Sequence, residues 1–181
     1  MARVKITKEE ILSGERTTLK RIDFDIQKKN SEWETQSREV FDHGNAATVL
    51  LYNPEEKTVL LTRQFRIATY VNGNATGMLI ETPAGLLEEG EMPEKTMLRE
   101  IKEETGYEVA EVQKVCAAYS SAGAFTELIH FYVAPYSKQQ KVEKGGGLEE
   151  EGEEISVMEV PFEEALRMVE VGEIKDAKTI L

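Results

Sequence analysis

The chain has 181 residues, of which 40% are apolar and 31% are charged, and its formal net charge is −12. This length suits one core domain with an additional element, and the composition is ordinary for a soluble globular protein. The negative charge argues against broad nucleic-acid binding, because that binding depends on Lys and Arg side chains that neutralise phosphates. No membrane helix or secretory signal is visible, and the single cysteine, Cys116, excludes an intrachain disulfide framework. We therefore expect a cytoplasmic protein that does not bind membranes.

The predicted elements are short strands interleaved with two helices. Alternation of apolar and polar residues over 20–26 predicts a strand with one polar face. Residues 48–52 and 58–62 are β-rich runs joined through Asn53-Pro54, so they predict a hairpin. Further strands are predicted over 78–82, 115–119 and 128–133, and helices from Pro93 to Thr105 and from Pro161 to Gly172. This order predicts an α/β/α layered domain over 45–181, preceded by an N-terminal β segment over 1–44.

The helix that begins at Pro93 carries the strongest chemical signal. Proline suits the first helical position, and Gly106 can end the helix. Glu100 and Glu104 are four positions apart, so both carboxylates lie on one face, where like charges are destabilising without a cation. A solvated acidic surface helix is the alternative interpretation. The glycine loop before the helix favours a metal or phosphate site, because bare backbone lets a carbonyl or a phosphate come close.

The residues around this helix resemble the signature of the Nudix hydrolases. The matching positions are Gly85, five residues, Glu91, seven residues, and then Arg99-Glu100-Ile101-Lys102-Glu103-Glu104-Thr105-Gly106-Tyr107. Segments 63–66, 126–131 and 172–176 are similar to the ADP-ribose and nucleotide-sugar pyrophosphatase branch, and segments 50–53, 70–74 and 145–147 to its GDP-mannose hydrolases. The resemblance implies a Nudix α/β/α sandwich with a mixed central sheet and an N-terminal antiparallel β appendage.

The resemblance also implies a metal-dependent mechanism. Mg²⁺, with Mn²⁺ as the substitute ion, is expected to bind Glu100, Glu104 and the carbonyl of Ala84, with help from Glu103 in catalysis. In this branch a further carboxylate, acting in catalysis or as a metal ligand, comes from an acidic loop after the last core strands. Glu151 and Glu153 are the two candidates, and the sequence leaves the choice open. The glycines at 145–147 are expected to open a flexible loop of the kind a closing lid needs.

Substrate contacts implied by the resemblance are spread along the chain. They are Arg38, Glu39, Arg66, Gly85, Leu86, Glu127 and Lys178. Guanidinium groups suit phosphate oxygens, although ordinary surface salt bridges are the alternative for both arginines. The family further implies a homodimer with exchanged N-terminal segments, in which Arg38 and Glu39 serve the partner's site.

The predicted activity is hydrolysis of the pyrophosphate bond of a nucleoside diphosphate sugar, with GDP-mannose first and ADP-ribose as the alternative substrate. A non-catalytic Nudix-fold regulator is the alternative of another class. Such proteins usually lose a glutamate of the signature or gain a DNA-binding segment. Arg99, Glu100, Glu103 and Glu104 are all present and no basic patch is visible, so the sequence favours an enzyme.

Overall fold

The computed structural model describes residues 3–14, 17–148, 150 and 152–181, and the chain divides into two compact units. The first unit comprises Met1–Asn45 and Tyr119–Leu128. It contains a three-stranded antiparallel sheet in the order β1-β2-β3, formed by β1 (Val4–Gly14), β2 (Thr18–Gln27) and β3 (Trp33–Asp42). Among the described residues of this unit, no side chain is buried. The described residues of this sheet therefore form no buried core.

Segment Tyr119–Leu128 attaches to the end of β3. The backbone N–H of Phe41 donates to the carbonyl of Ala124 at 2.7 Å, and the rings of Phe41 and Phe125 lie 5.5 Å apart. These contacts explain why a segment distant in sequence belongs to the N-terminal unit.

The second unit, Ala46–Ala118 and Ile129–Leu181, is built on a seven-stranded sheet. Its strands are β4 (Ala46–Asn53), β5 (Thr58–Phe65), β6 (Met78–Glu81), β7 (Ala84–Leu86), β8 (Gln113–Tyr119), β9 (Leu128–Pro135) and β10 (Ser156–Pro161). The main order is β10-β5-β4-β9-β8, with β6 beside β5 and β7 beside β4. β4 pairs antiparallel with β5, which confirms the predicted hairpin, and parallel with β9, so the sheet is mixed.

Helices cover both faces of this sheet. They are α1 (Ile67–Val71), α2 (Pro93–Glu100) with a continuing π-helical turn (Ile101–Thr105), α3 (Phe162–Glu170) and α4 (Ala177–Ile180). One core contains Val49, Leu51 and Leu60 of the sheet with Met97 and Ile101 of the long helix. The other contains Val59, Leu61 and Val160 with Met168 and Ile174. Alternate strand residues thus serve opposite cores, which confirms the predicted α/β/α sandwich.

Several elements were not individually predicted from the sequence. They are β1, β3, β7, β10, α1 and α4, of which β7 has three residues and α4 has four. The short elements β7, β10, α1 and α4 carry too little periodicity to be recognised in isolation. β1 and β3 have 11 and 10 residues and lie within the predicted N-terminal β segment, but their mixed polar sequences do not mark separate strands. Within the described ranges, every helix falls short of the length and apolarity that crossing a membrane would require.

Candidate active site

The predicted helix is present, and it changes character midway. Pro93 lies in its first turn, and Gly106 ends it in the left-handed conformation with φ of 77°. The last turn is π-helical and contains Glu103 and Glu104. π-helical turns inside α-helices occur frequently at functional sites.

Glu104 is buried, and one oxygen of its carboxylate accepts no hydrogen bond from the described residues. The residue is 2% exposed, and its Oε2 has no hydrogen-bond partner among the described residues. Burial raises the pKa of Glu104 well above its usual value, and the negative charges of Glu100 and Glu153 raise it further. Burying an unpaired carboxylate is costly, so this oxygen is suited to a cation that binds from solution.

Glu100 lies against the bare backbone of Gly85 in β7. A Cβ atom at position 85 would lie 2.0 Å from Oε1 of Glu100, so a side chain at this position would displace the carboxylate. Burial raises the pKa of Glu100 to about 7, against the opposing effect of the Arg99 guanidinium. The glycine thus brings the carboxylate next to the strand that carries Ala84, the expected carbonyl ligand.

Arg99 joins the glutamates of the signature. Its Nη1 lies 2.9 Å from Oε1 of Glu100 and donates to Oε2 of Glu103 at 2.8 Å. Glu91, whose Oε2 lies 3.8 Å from Nη2 of Arg99, accepts a hydrogen bond from Thr96 at 2.8 Å. With Arg99 bound to two of the carboxylates, no three His, Cys, Asp or Glu side chains of the described residues converge as a ready-made metal cage.

The donors present nevertheless suit a hard divalent cation. Mg²⁺ is usually held by one or two carboxylates together with waters and substrate phosphates, not by a cage made wholly of protein. Glu104 supplies an unpartnered buried oxygen, and Glu100 supplies a second carboxylate beside Gly85. All of these donors are oxygen atoms, which Mg²⁺ and Mn²⁺ prefer.

Glu153 belongs to the same electrostatic cluster. Its negative charge contributes to the raised pKa values of both Glu100 and Glu104. Its own carboxylate accepts a hydrogen bond from the backbone N–H of Leu148 at 3.2 Å. The other candidate from the acidic loop, Glu151, lies outside the described residues.

The glycines at 145–147 also allow close packing, which the sequence did not predict. A Cβ at Gly145 would lie 2.5 Å from the carbonyl carbon of Thr105. The N–H of Gly146 donates to the carbonyl of Glu104 at 2.9 Å, and that of Gly147 to the carbonyl of Glu103 at 3.1 Å. The segment therefore satisfies carbonyls at the end of the helix that begins at Pro93, which otherwise lack intrahelical partners.

Two of the predicted substrate residues, Arg66 and Lys178, meet at a carboxylate that the sequence did not single out. Nε of Arg66 donates to Glu81 at 2.7 Å, and Nζ of Lys178 donates to the other oxygen of the same carboxylate. Of the remaining predicted contacts in this unit, Gly85 and Leu86 lie in β7, and Leu86 is exposed.

The other three predicted substrate residues lie in the first unit. Arg38 is exposed and donates to the carbonyl of Ser37 at 2.8 Å. Glu39 accepts from Arg21 at 3.3 Å, and Glu127 lies 3.8 Å from Nε2 of His43. These neighbours are surface or half-buried groups, so the structure leaves the roles of Arg38, Glu39 and Glu127 as predictions.

Sequence reasoning missed Glu81 and the residues behind Lys178. Asp176 begins α4 and accepts a hydrogen bond from the N–H of Thr179 at 3.0 Å. An Asp followed three residues later by Thr is a recognisable helix N-cap pattern. Glu81 is an acid at the end of the apolar run 78–80, which was a usable signal for a buried carboxylate but not for its partners.

A separate cavity of about 570 Å³ lies beside β4, β5 and the start of α3, and it is lined largely by apolar groups that include Leu50, Tyr52 and Phe162. None of the described members of the predicted site lines this cavity. We therefore expect the chemistry at the helix that carries Glu100 and Glu104, and not in this cavity.

Comparison with known proteins agrees with the geometry of the helix. The NUDIX domain matches residues 42–180, and the GDP-mannose pyrophosphatase NudK N-terminal domain matches residues 3–41. The chain is 52% identical over 178 residues to proteins named GDP-mannose pyrophosphatase from Escherichia coli O1:K1 / APEC and from Shigella boydii serotype 4 (strain Sb227). These alignments cover 98% of this chain and 92% of each relative.

The family match covers most of the chain, and the signature residues occupy the helix and the glycine strand that the structure brings together. Members of this family generally use divalent metal ions, in agreement with the oxygen donors around Glu104. A non-catalytic regulator is not supported, because each glutamate of the signature is retained in the site. The chain belongs to the Nudix family and is a pyrophosphohydrolase.

Proposed function

We propose that this protein hydrolyses the pyrophosphate bond of GDP-mannose, giving GMP and mannose 1-phosphate, with Mg²⁺ as its metal. The observation that carries the hydrolytic part is Glu104, a buried carboxylate with an unpartnered oxygen beside Glu100. The choice of substrate is supported by the similarity to GDP-mannose pyrophosphatases along both the N-terminal segment and the Nudix domain. Mn²⁺ is the expected substitute ion.

The residues act on the diphosphate in complementary ways. Glu100, Glu104 and the Ala84 carbonyl would hold the cation, with Glu153 as a further ligand. A bound divalent cation neutralises pyrophosphate charge and makes a bound water more acidic. Arg99 keeps the carboxylates of Glu100 and Glu103 in place through its contacts at 2.9 and 2.8 Å.

Water attacks one phosphorus atom, and the bond from that phosphorus to the bridging oxygen breaks. The proton of the water passes to a carboxylate, for which Glu103, Glu151 and Glu153 are the candidates. Arg66 and Lys178 contact the diphosphate oxygens, and Gly85 and Leu86 line the substrate beside the catalytic helix. These roles follow the resemblance of the residues to the family pattern and the grouping of Glu103 and Glu153 with the buried glutamates.

A substrate panel tests the proposal. Purified protein with Mg²⁺ is incubated with GDP-mannose, ADP-ribose, other nucleotide sugars and dinucleoside polyphosphates, and the nucleotide products are separated. The expected result is the highest kcat/KM for GDP-mannose, with GMP as product. A higher kcat/KM for ADP-ribose would make ADP-ribose the substrate, and the conclusion that the protein is a pyrophosphohydrolase would stand.

We further propose that the protein is a homodimer with exchanged N-terminal segments, so that Arg38 and Glu39 contribute to substrate binding across the dimer, and that Glu127 also contacts substrate. Support comes from the exposed apolar side chains of the first unit, among them Val4, Ile6, Ile11, Trp33 and Phe41. A three-stranded sheet without a buried interior is poorly stable by itself, and clustered exposed apolar groups are typical of protein interfaces.

Subunit mixing tests the exchange. Arg38→Ala and Glu104→Gln variants, each nearly inactive, are unfolded together and refolded as a mixture. If sites are shared, mixed dimers contain one intact site, and activity returns towards about one quarter of wild type. Activity equal to the mean of the two separate variants would contradict the shared site. Ile11→Glu should also dissociate the dimer in sedimentation experiments, whereas Val171→Glu, at an exposed position of the second unit, should not.

A further inference from the structure

Glu81 ends β6 and is 3% exposed, yet its carboxylate is shared by two cations. Nε of Arg66 donates to Oε2 at 2.7 Å, and Nζ of Lys178 donates to Oε1. Each oxygen therefore has its own positively charged donor. Because a buried carboxylate is stable only when it is paired and hydrogen-bonded, the two cations and Glu81 fix one another's positions.

The guanidinium of Arg66 is held by one edge. Nε is bound to Glu81, whereas Nη1 and Nη2 donate no hydrogen bond to any of the described residues. The side chain is 41% exposed. A guanidinium fixed in this way presents its remaining N–H groups in one orientation, which suits two oxygens of a phosphate.

Lys178 is fixed from the opposite side. Its Nζ lies 2.9 Å from Oδ2 of Asp176, the residue that caps α4. Thr179 of the same helix accepts a hydrogen bond from the backbone N–H of Thr82 at 2.8 Å. α4 is thereby tied to the residue that follows Glu81, and the ammonium group is held beside the carboxylate.

The cluster offers fixed donors and little net charge. The two carboxylates, Glu81 and Asp176, offset the two cations, Arg66 and Lys178. The affinity of the cluster for a phosphate would therefore depend on the orientation of its N–H groups. The cluster is also close to the catalytic helix, since the charges of Arg66 and Glu81 both influence the pKa of Glu104.

We propose that Glu81 is a positioning residue that holds Arg66 and Lys178 as a two-pronged clamp for the substrate diphosphate, without touching substrate itself. This inference rests on the proposed function, because it assumes that both cations contact the diphosphate. The clamp would hold the non-reacting oxygens of the diphosphate both in the bound substrate and in the transition state. Loss of Glu81 should therefore weaken the binding of both states equally.

Steady-state kinetics of Glu81→Gln test the clamp. We expect KM for GDP-mannose to rise about 10-fold while kcat changes less than about 3-fold, the pattern of lost uniform binding. The Kd of GDP, measured by titration calorimetry with Mg²⁺, should weaken by a similar factor. Glu164→Gln, which breaks the exposed pair with Arg167 in the same unit, should leave both constants unchanged.

A double-mutant cycle separates positioning from a general structural role. If Glu81 acts through the cations, Glu81→Gln should have little further effect on KM in an Arg66→Gln, Lys178→Met background. An equal effect with and without the cations would overturn the clamp. Glu81→Asp keeps the charge but is too short to reach both cations, so it should fold with a smaller loss of melting temperature than the Gln variant, and KM should still rise.

Failure of the clamp is distinguishable from failure of the proposed function. The proposed function is judged on the wild-type protein alone, and the variant ratios are measured on whichever panel substrate it hydrolyses. Wild-type turnover with unchanged KM in both Glu81 variants overturns the clamp and leaves the activity in place. A wild-type protein that binds neither GDP nor a panel substrate overturns both.

Discussion

Glu104 and Glu81 are two buried carboxylates of one unit, 2% and 3% exposed, with opposite surroundings. Glu104 has an oxygen without a hydrogen-bond partner among the described residues, and its pKa is raised by burial and by Glu100 and Glu153. Glu81 accepts hydrogen bonds from Arg66 and Lys178. Burial alone therefore does not define a carboxylate's role; its partners do.

The difference has an energetic meaning. A buried carboxylate without a cation destabilises the metal-free fold, whereas removal of one member of a buried ion pair leaves the other charge uncompensated. Glu104 should thus contribute to function at the expense of stability until a metal binds. Glu81 should contribute to both, since its cations are already present.

The largest expected effect is on catalysis by Glu104→Gln. Glutamine keeps the size and most of the helix propensity but removes an anionic ligand, so we expect kcat to fall on the order of 10²-fold or more, about 2.7 kcal/mol of barrier. Steady-state assays with Mg²⁺ measure the loss. Glu108→Gln, at an exposed position just after the helix, is the matched control. Wild-type turnover in the Glu104 variant would mean that the carboxylate is not a metal ligand.

The next effect is on the free energy of unfolding, which Glu104→Gln and Glu81→Gln should change in different directions. In EDTA at neutral pH, Glu104→Gln should leave the free energy of unfolding unchanged or raise it, because an unpaired buried charge disappears. Glu81→Gln should lower it by about 1–3 kcal/mol, because two cations lose their shared partner. Urea denaturation of the three proteins measures both changes. The same sign for both variants would remove the contrast between the two carboxylates.

How far the sequence anticipates the site depends on whether the partners are local. The catalytic helix was predicted with its bounds, because Pro93 and Gly106 mark its ends and Glu100 and Glu104 are one turn apart. The hairpin of β4 and β5 was predicted for the same reason, from a turn signal between two β-rich runs. In both cases the information lies within one short window.

The pairing of Glu81 could not be predicted in this way. Arg66 is 15 positions and Lys178 is 97 positions from Glu81, so they meet only through the pairing of β5 with β6 and the placement of α4. The glycines at 145–147 show a second limit, because composition suggested flexibility and gave no sign of the close packing that the backbone contacts of Gly145 require. Glycine patterns do not distinguish these two causes.

A third, smaller effect concerns pH and metal in the wild-type protein. Burial raises the pKa of Glu100 from 4.5 to about 7. Between these values the folded state binds more protons than the unfolded state, so metal-free stability falls as pH rises through this window. The shift of Glu104 acts in the same direction.

A divalent cation binds the ionised carboxylates, so the gain in melting temperature on adding Mg²⁺ should grow from about pH 5 to about pH 8, to several degrees. Scanning calorimetry with Mg²⁺ and with EDTA at each pH measures this difference in melting temperature. Groups distant from the metal titrate equally in both measurements, so their effect cancels. Activity should also disappear in excess EDTA. A gain independent of pH, or full turnover in EDTA, would contradict metal binding by these carboxylates.

The smallest expected effect is that of Thr179→Val, which probes the support behind Glu81 and not the carboxylate itself. The hydroxyl of Thr179 accepts from the N–H of Thr82 at 2.8 Å, so valine, of nearly the same shape, leaves that donor unpaired and should cost about 1 kcal/mol. Lys178 in the same helix turn should become less well fixed, and KM should rise about 2- to 3-fold at unchanged kcat. Thr76→Val is the matched control, since its exposed hydroxyl accepts from the N–H of Met78 at 3.2 Å and makes no contact with α4. An effect of Thr179→Val on stability without any on KM would show that α4 supports the fold but does not position Lys178.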